Sequence, residues 1–283
     1  MIPNQPAQKP QLLKLIESYP GLRRENLGRG GLSMYQIEDS FRFGEEQVCF
    51  THWISNHIGQ RPKARSARGE SPLQLLDIGS GSGILTLLLS QLIPGSTGMA
   101  LEVMDRPFAL LQANLYTNAL DRRFQAVQGD VRAWVRQGVP EEHRRKRFDL
   151  IVLNPPYFLS GRGPERREEN AGDLERMVAR EESLASLEEF LSLASTLLAP
   201  GGKVFVLHRP ERLTDIILDA QRCKLQATAL RPVLPRLGQK ASAIFVLLEK
   251  NIQKQFIFEK DLVLRREDGS YTLEVQGFYT EEA

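Results

Sequence analysis

Between residues 73 and 249, short apolar runs closed by glycine, proline or charged residues alternate with stretches of helical spacing. The runs are LQLLDI (73–78), GMALEV (98–103), FQAVQ (124–128), FDLIVLN (148–154), KVFVLH (203–208), LQATALRPVL (225–234) and AIFVLLE (243–249). Helix-like segments fall near 84–92, 107–118, 184–199 and 210–221. Runs that are apolar on both alternating faces belong to strands covered on two sides, and strands separated by helices build βαβ units. The expectation is a doubly wound α/β fold around a mostly parallel sheet.

The flanks differ in texture. Residues 1–10 are rich in proline and glutamine and read as a loose arm. Phe41-Arg42-Phe43 reads as extended, and after it Phe50, Trp53, Ile54 and Ile58 fall on one helical face. Residues 59–72 carry Arg61, Lys63, Arg65 and Arg68 without apolar periodicity, a basic linker by composition. Residues 255–276 alternate around Asp268-Gly269, a hairpin signal. The polar stretch 159–176 is too hydrophilic for a core.

Composition removes several classes. With 37 basic and 35 acidic residues the formal charge is +2, so net charge does not select a partner. Two cysteines, Cys49 and Cys223, exclude a disulfide framework, and the four histidines show no metal-ligand spacing. No metal is expected. No apolar stretch approaches the roughly 20 residues that span a bilayer, and the N-terminus lacks the apolar segment of a signal peptide. A cytoplasmic monomer away from membranes is expected.

The glycine loop Asp77-Ile78-Gly79-Ser80-Gly81-Ser82-Gly83 follows the first run and opens a helix. Glycines let backbone approach a ligand closely, and the carboxyl end of such a strand is where nucleoside cofactors bind. The spacing is GxGxG, and Ile84 stands where a dinucleotide loop would place its third glycine. Asp77 suits a positively charged amino group. Glu102 ends the second run, where a carboxylate can accept ribose hydroxyls, and Asp130 follows the third, where it can accept from an adenine amine. The alternative for Glu102 and Asp130, each taken alone, is a helix N-cap or a solvated loop acid. Asp105, before Arg106-Pro107, reads as such a cap and yields the ribose role to Glu102.

Asn154-Pro155-Pro156-Tyr157-Phe158 follows the fourth run. Two prolines fix φ and leave carbonyls free. The Asn154 amide oxygen and the Pro155 carbonyl can each accept one N–H of a planar amine, while Tyr157 stacks on the ring that carries it. Such an amine has a delocalised lone pair, and two acceptors raise its electron density as it attacks. Adenine N6 and a side-chain amide nitrogen fit equally on this ground.

The glycine loop, the ordered acids and the NPPY tetrapeptide resemble the class I S-adenosylmethionine-dependent methyltransferases. More closely, the chain is similar to the bacterial tRNA1(Val) (adenine(37)-N6)-methyltransferase family over roughly residues 35–280. The resemblance rests on Phe41–Phe43, Asp77–Gly83, Asn154–Phe158 with Gly161, Ala179-Arg180, Gly201–Lys203, His208–Pro210 with Arg212-Leu213, Lys240-Ala241, and Asp268–Thr272. It implies a Rossmann-like sheet of seven strands whose last hairpin is antiparallel. An N-terminal extension (1–72), a methyltransferase domain (73–250) and a hairpin tail (251–283) follow.

The resemblance also implies S-adenosylmethionine held by Asp77, Gly79, Ser80, Gly81, Gly83, Glu102, Asp130 and Asn154. Catalysis would fall to Asn154, Pro155, Pro156 and Tyr157, and substrate contact to Phe158, Arg180, His208 and Arg209. The expected acceptor is adenine 37 of a tRNA. Basic clusters at 61–68, 143–147, Arg162 with Arg166 and Arg167, and Arg209, Arg212, Arg231, Arg236 and Lys240 suit RNA phosphates, although Glu165, Glu168 and Glu169 dilute one of them. A protein-glutamine methyltransferase and a non-catalytic RNA-binding protein are the alternatives. His143 reads as a surface residue, and Trp53 and Trp134 as packing residues.

Overall fold

The computed structural model of the chain describes residues 9–28, 30–37, 44–59, 72–155, 185–250 and 254–279. Each apolar run forms a strand: β3 (Gln74–Ile78), β4 (Thr97–Glu102), β5 (Phe124–Gln128), β6 (Phe148–Leu153), β7 (Leu198–His208), β8 (Leu225–Arg236) and β9 (Ala243–Lys250). Helices α3 (Ile84–Leu92), α4 (Asp105–Thr117), α7 (Leu187–Leu197) and α8 (Leu213–Arg222) occupy the expected intervals. Two shorter helices, α5 (Val131–Gln137) and α6 (Glu141–Arg144), lie between β5 and β6 and were not foreseen.

With β10 (Ile257–Phe258) and β11 (Leu262–Arg265) from the tail, the strand order is β10-β8-β9-β7-β6-β3-β4-β5, with β11 also on β8. Strands β3 to β7 run parallel, and β9 lies antiparallel between β7 and β8. Alternate residues feed two cores. Leu75, Leu150, Val152, Phe205 and Phe245 pack towards α2 (Glu45–Gly59), α3 and α4, whereas Leu76, Ile151, Leu153, Val204 and Val246 pack towards α7 and its neighbours. Phe50, Trp53, Ile54 and Ile58 are all buried on the first side, as their spacing predicts. Trp134 is also buried.

The sheet has nine strands, not seven, because the tail adds β10 and β11 to the outer edge of β8. Both run parallel to β8, and the expected tail hairpin forms only as a short antiparallel return on β11, with Arg266 N–H bonded to the Ser270 carbonyl at 2.8 Å and Thr272 N–H to the Leu264 carbonyl at 3.0 Å. Asp268-Gly269 does turn the chain, with Gly269 at φ 84°. The returning segment then makes a single bridge, Arg265 to Tyr271, before entering α9 (Leu273–Tyr279). The reason is burial: Val275 and Phe278, three apart, face inward together, and the Phe278 ring stacks on His52 at 4.5 Å. Helical spacing therefore won over the local alternation.

The N-terminal region holds more order than its composition suggests. α1 (Lys9–Glu17) and the hairpin β1 (Leu22–Asn26)–β2 (Ser33–Ile37) dock on α4, with Ile16 packed against Ala109, Leu110 and Ala113. The expected extended piece Phe41–Phe43 and the basic stretch 60–71 lie outside the described residues. His143, expected at the surface, is buried with its ring stacked on Trp134 at 5.5 Å.

Between β10 and β11 the tail reaches α2 through Glu259. Its carboxylate accepts the Trp53 indole N–H at 2.8 Å, and its other oxygen lies 3.0 Å from His57 Nε2. Burial pushes this carboxyl up, but the bonds from His57 and Trp53 outweigh that and hold it below the usual range. Replacing Glu259 by Ala strands a buried indole donor, which costs about 1–3 kcal/mol. Urea unfolding of Glu259→Ala should show a loss of that size, and an unchanged midpoint would mean the clamp contributes nothing.

Candidate cofactor and acceptor site

The parallel register defines the site. Ile78 pairs with Leu101 of β4 and, on the other side, with Leu153 of β6. The next residues, Gly79, Glu102 and Asn154, therefore leave the sheet side by side at its carboxyl edge. Open α/β sheets bind ligands at that edge.

The glycine loop is tightly held. Gly79 and Ser80 both donate their N–H groups to the Leu101 carbonyl, at 2.8 and 3.0 Å, and Gly83 donates to the Ser80 carbonyl at 2.9 Å. Gly79, Gly81 and Gly83 have φ of 73°, 57° and 93°, a region where side chains are strained. A Cβ at Gly83 would lie 2.7 Å from Leu111, and one at Gly79 would press on Phe190 at 3.1 Å. At Gly81 nothing lies within 4 Å, so the loop keeps one open face. The Ser80 hydroxyl is buried and has no hydrogen-bond partner.

Glu102 is 4% exposed and closes over this loop. One oxygen accepts the Gly81 N–H at 2.8 Å, and the other accepts those of Val103 and Met104 at 2.9 and 2.8 Å. Burial pushes its carboxyl above the ordinary range, opposed by these three donors. A carboxylate offers about four acceptor positions, so roughly one remains for a ligand hydroxyl. Asp105, its competitor, is exposed and accepts from the Gln128 amide at 2.6 Å. It stands as the first residue of α4, with Met104 at the cap position, rather than as the cap itself.

Asp77 is 1% exposed and accepts the Thr86 hydroxyl at 2.8 Å, tying β3 to the first turn of α3. Asp130 caps α5, accepting the Arg132 N–H at 2.8 Å, and pairs with the Arg132 guanidinium at 2.9 Å. Any ligand amine at Asp130 must compete with that arginine. Asn154 is half-buried and Pro155 buried. Pro156, Tyr157, Phe158 and Arg180 lie outside the described residues.

Residues 67–166 match the methyltransferase small domain. A tRNA1(Val) (adenine(37)-N6)-methyltransferase of Porphyromonas gingivalis strain W83 is 31% identical over 194 residues, covering 69% of each chain. The chain belongs to this methyltransferase family. A protein of the same name from Aeromonas hydrophila is 26% identical over 70% of this chain and 77% of its own. Among solved structures, a predicted O-methyltransferase from Agrobacterium tumefaciens superposes with a TM-score of 0.56 at 19% identity, over 75% of this chain and 91% of that one. The human methyltransferase 10 domain containing protein gives 0.51 at 18%, over 87% and 96%. These likenesses show the Rossmann-like methyltransferase fold.

In this family member β7 continues the same edge. Leu153 pairs with Val206, so His208 and Arg209 emerge beside Asn154. His208 is 1% exposed, and its Nδ1 accepts the Arg209 N–H at 2.8 Å. That bond leaves the ring proton on Nε2. Burial, then the charges of Arg212 and Arg209, push its pKa down to about 4, so the ring is neutral at physiological pH. Directly after Glu102, Val103 and Met104 are two apolar side chains 38% and 36% exposed, an exposure that the sequence does not announce.

Burial pushes the Asp77 carboxyl from 3.8 up to about 7, with smaller opposing bonds from Thr86 and a further push from Glu102. A raised carboxyl contributes stability below the unfolded value, and that contribution is lost as pH rises through the folded one. The stability of Asp77→Asn relative to the parent should therefore increase between about pH 4 and pH 7 and level off above, by a few kcal/mol at most. A pH-independent difference in urea unfolding would mean that Asp77 is ionised throughout.

Proposed function

We propose that this chain transfers a methyl group from S-adenosylmethionine to the N6 amine of an adenine in RNA, at adenine 37 of a tRNA. The observation that carries the reading is the register-fixed placement of Asn154-Pro155 beside Gly79 and Glu102 in a member of this family. Residues 73–250 would hold the reaction, with 1–72 and 251–283 as its frame.

The residues fit this cofactor. The loop and the strand end offer two carboxylates, Asp77 and Glu102, and no lysine or arginine between residues 77 and 83 or 101 and 104. Glu102 keeps an acceptor position for a cationic, hydroxyl-bearing nucleoside. The open face at Gly81 leaves room for it beside the unpartnered Ser80 hydroxyl, and Val103 and Met104 offer apolar cover for a planar base. When bound, S-adenosylmethionine supplies an electrophilic methyl on a sulfonium centre.

The chain's own part is positioning and electrostatics. The Asn154 side-chain oxygen and the Pro155 carbonyl each accept one N–H of the amine. They align its nitrogen and favour pyramidalisation as the bond forms. No strong base is needed at the start, because the amine proton becomes acidic only once methylation is under way. His208 is neutral, so its ring adds no charge at the neighbouring strand end.

RNA as acceptor is supported by the arrangement of cations. The edge that carries Asn154 also ends in Arg209 after β7, Arg236 at the end of β8 and Lys240 before β9. Arg236 and Lys240 are exposed and form no ion pair among the described residues. Arg212 and Arg231, by contrast, are paired with Asp215 and Glu274 at 2.8 and 2.6 Å. Adjacent strands stand about 4.8 Å apart, so this row can follow a single strand whose target base enters at Asn154.

Nucleoside mass spectrometry after incubation with S-adenosylmethionine and unmodified bulk tRNA should reveal N6-methyladenosine. Asn154→Ala should lower the rate by about 10²-fold or more. Methylation of a release-factor glutamine instead of tRNA would overturn the reading. For Arg236→Gln with Lys240→Gln, the slope of log KM for tRNA against log salt should fall by about 0.7 per cation removed, with affinity for S-adenosylmethionine unchanged. An unaltered slope would remove these two residues from the RNA path.

A further inference from the structure

The N-terminal hairpin touches the glycine loop through one side chain. Asn114, on α4, is 0% exposed. Its oxygen accepts the Tyr35 N–H of β2 at 2.7 Å, and its amide donates to the Tyr35 carbonyl at 3.0 Å and to the Ser82 carbonyl at 2.8 Å. An amide group has two donor hydrogens, and both are committed. The paired bonds to Tyr35 fix which way the amide faces, leaving its second N–H for Ser82 alone. One turn earlier on the same helix face, Leu111 fills the space that a Cβ at Gly83 would need.

Each residue of the loop from Gly79 to Gly83 is thereby held by a partner, and the hold on Ser82 is the one that lies outside the loop and the end of β4. We infer that Asn114 is a positioning residue for the cofactor loop: strand β2 orients its amide, and the amide sets the Ser82–Gly83 peptide against which the cofactor rests. The inference rests on the methyltransferase reading for its ligand but not on the choice of RNA.

Asn118, one turn further on, supplies a matched control. It makes the equivalent pair of bonds to Ser33 of β2, at 3.0 and 2.7 Å, and has no bond to the loop. Both Asn114→Ala and Asn118→Ala loosen the hairpin and should lower the melting temperature of the ligand-free protein. Only Asn114→Ala should weaken S-adenosylmethionine in calorimetry, by about tenfold, while Asn118→Ala stays within about twofold. Amide hydrogen exchange at residues 79–85 of the ligand-free protein should accelerate in the first variant and not in the second. If Asn114→Ala does not fold, Asn114→Asp, which keeps the bond from Tyr35 N–H and loses both donors, takes its place. Equal losses in the two variants, or unchanged affinity and exchange in the Asn114 variant, would overturn the role. Absence of cofactor binding by the parent protein would instead sink the cofactor reading, and the exchange measurement would still decide whether Asn114 holds the loop.

Discussion

The parallel pairing of β3 with both β4 and β6 is the constraint on which the rest of the site depends. Because Ile78 faces Leu101 on one side and Leu153 on the other, three chemically different strand ends emerge together without any long-range side-chain contact being required. A one-residue slip in either pairing would send each buried side chain to the opposite face. Leu75 and Leu76, or Val152 and Leu153, belong to different cores, so such a slip is opposed by the packing of both layers. The strand ends at Gly79, Glu102 and Asn154 are therefore fixed by the core beneath them. This is the property that a reaction relying on alignment rather than on a strong base demands.

The parts of the molecule legible in the sequence were those in which local pattern and tertiary burial agree. FQAVQ became β5 and ILTLLLSQL became α3 because each run matches the layer that covers it. The glycine loop was legible for a related reason: its positive φ values leave little choice of residue. The tail was misread where the two levels conflict. Leu273 and Val275 alternate with acidic and polar neighbours as a strand would, yet Leu273 is 75% exposed and Val275 buried, since the partner is α2 and not another strand. The N-terminal hairpin was silent because its ordering comes from outside itself. β1 carries Arg23, Arg24 and Glu25, and the outer edge of β2 is satisfied by Asn114 of α4 and Asn118 at its C-cap, a pairing no local pattern announces.

Individual acids were read less well than their order. Glu102 stands where it was expected, but most of its acceptor capacity serves backbone N–H groups of the loop and of its own strand end. Asp130 fulfils the alternative reading as well, capping α5 and holding Arg132. A strand-end carboxylate is drawn both to the free N–H groups of the next helix and to a ligand, and spacing alone does not separate the two. What the structure adds is accessibility: Asp130 keeps about a third of its side chain exposed, whereas Asp77 is closed off behind Thr86.

That closure bears on why the loop is built around acids at all. Asp77 and Glu102 are buried close enough for each to matter to the other's charge, and neither has an ion-pair partner among the described residues. Two such carboxylates without a cation are costly in a folded protein, and a fold selected for stability alone would replace them with apolar residues of similar size. Their presence is intelligible if Asp77, bonded to Thr86, acts as a strut beneath the loop while Glu102 stands at the strand end where the proposed cofactor would meet it. The asymmetry in their donors supports this division. Glu102 receives three backbone N–H groups, which favour its ionised form, and Asp77 receives little beyond Thr86. One acid is thus tied to the backbone of the loop and its own strand end, and the other to the first turn of α3.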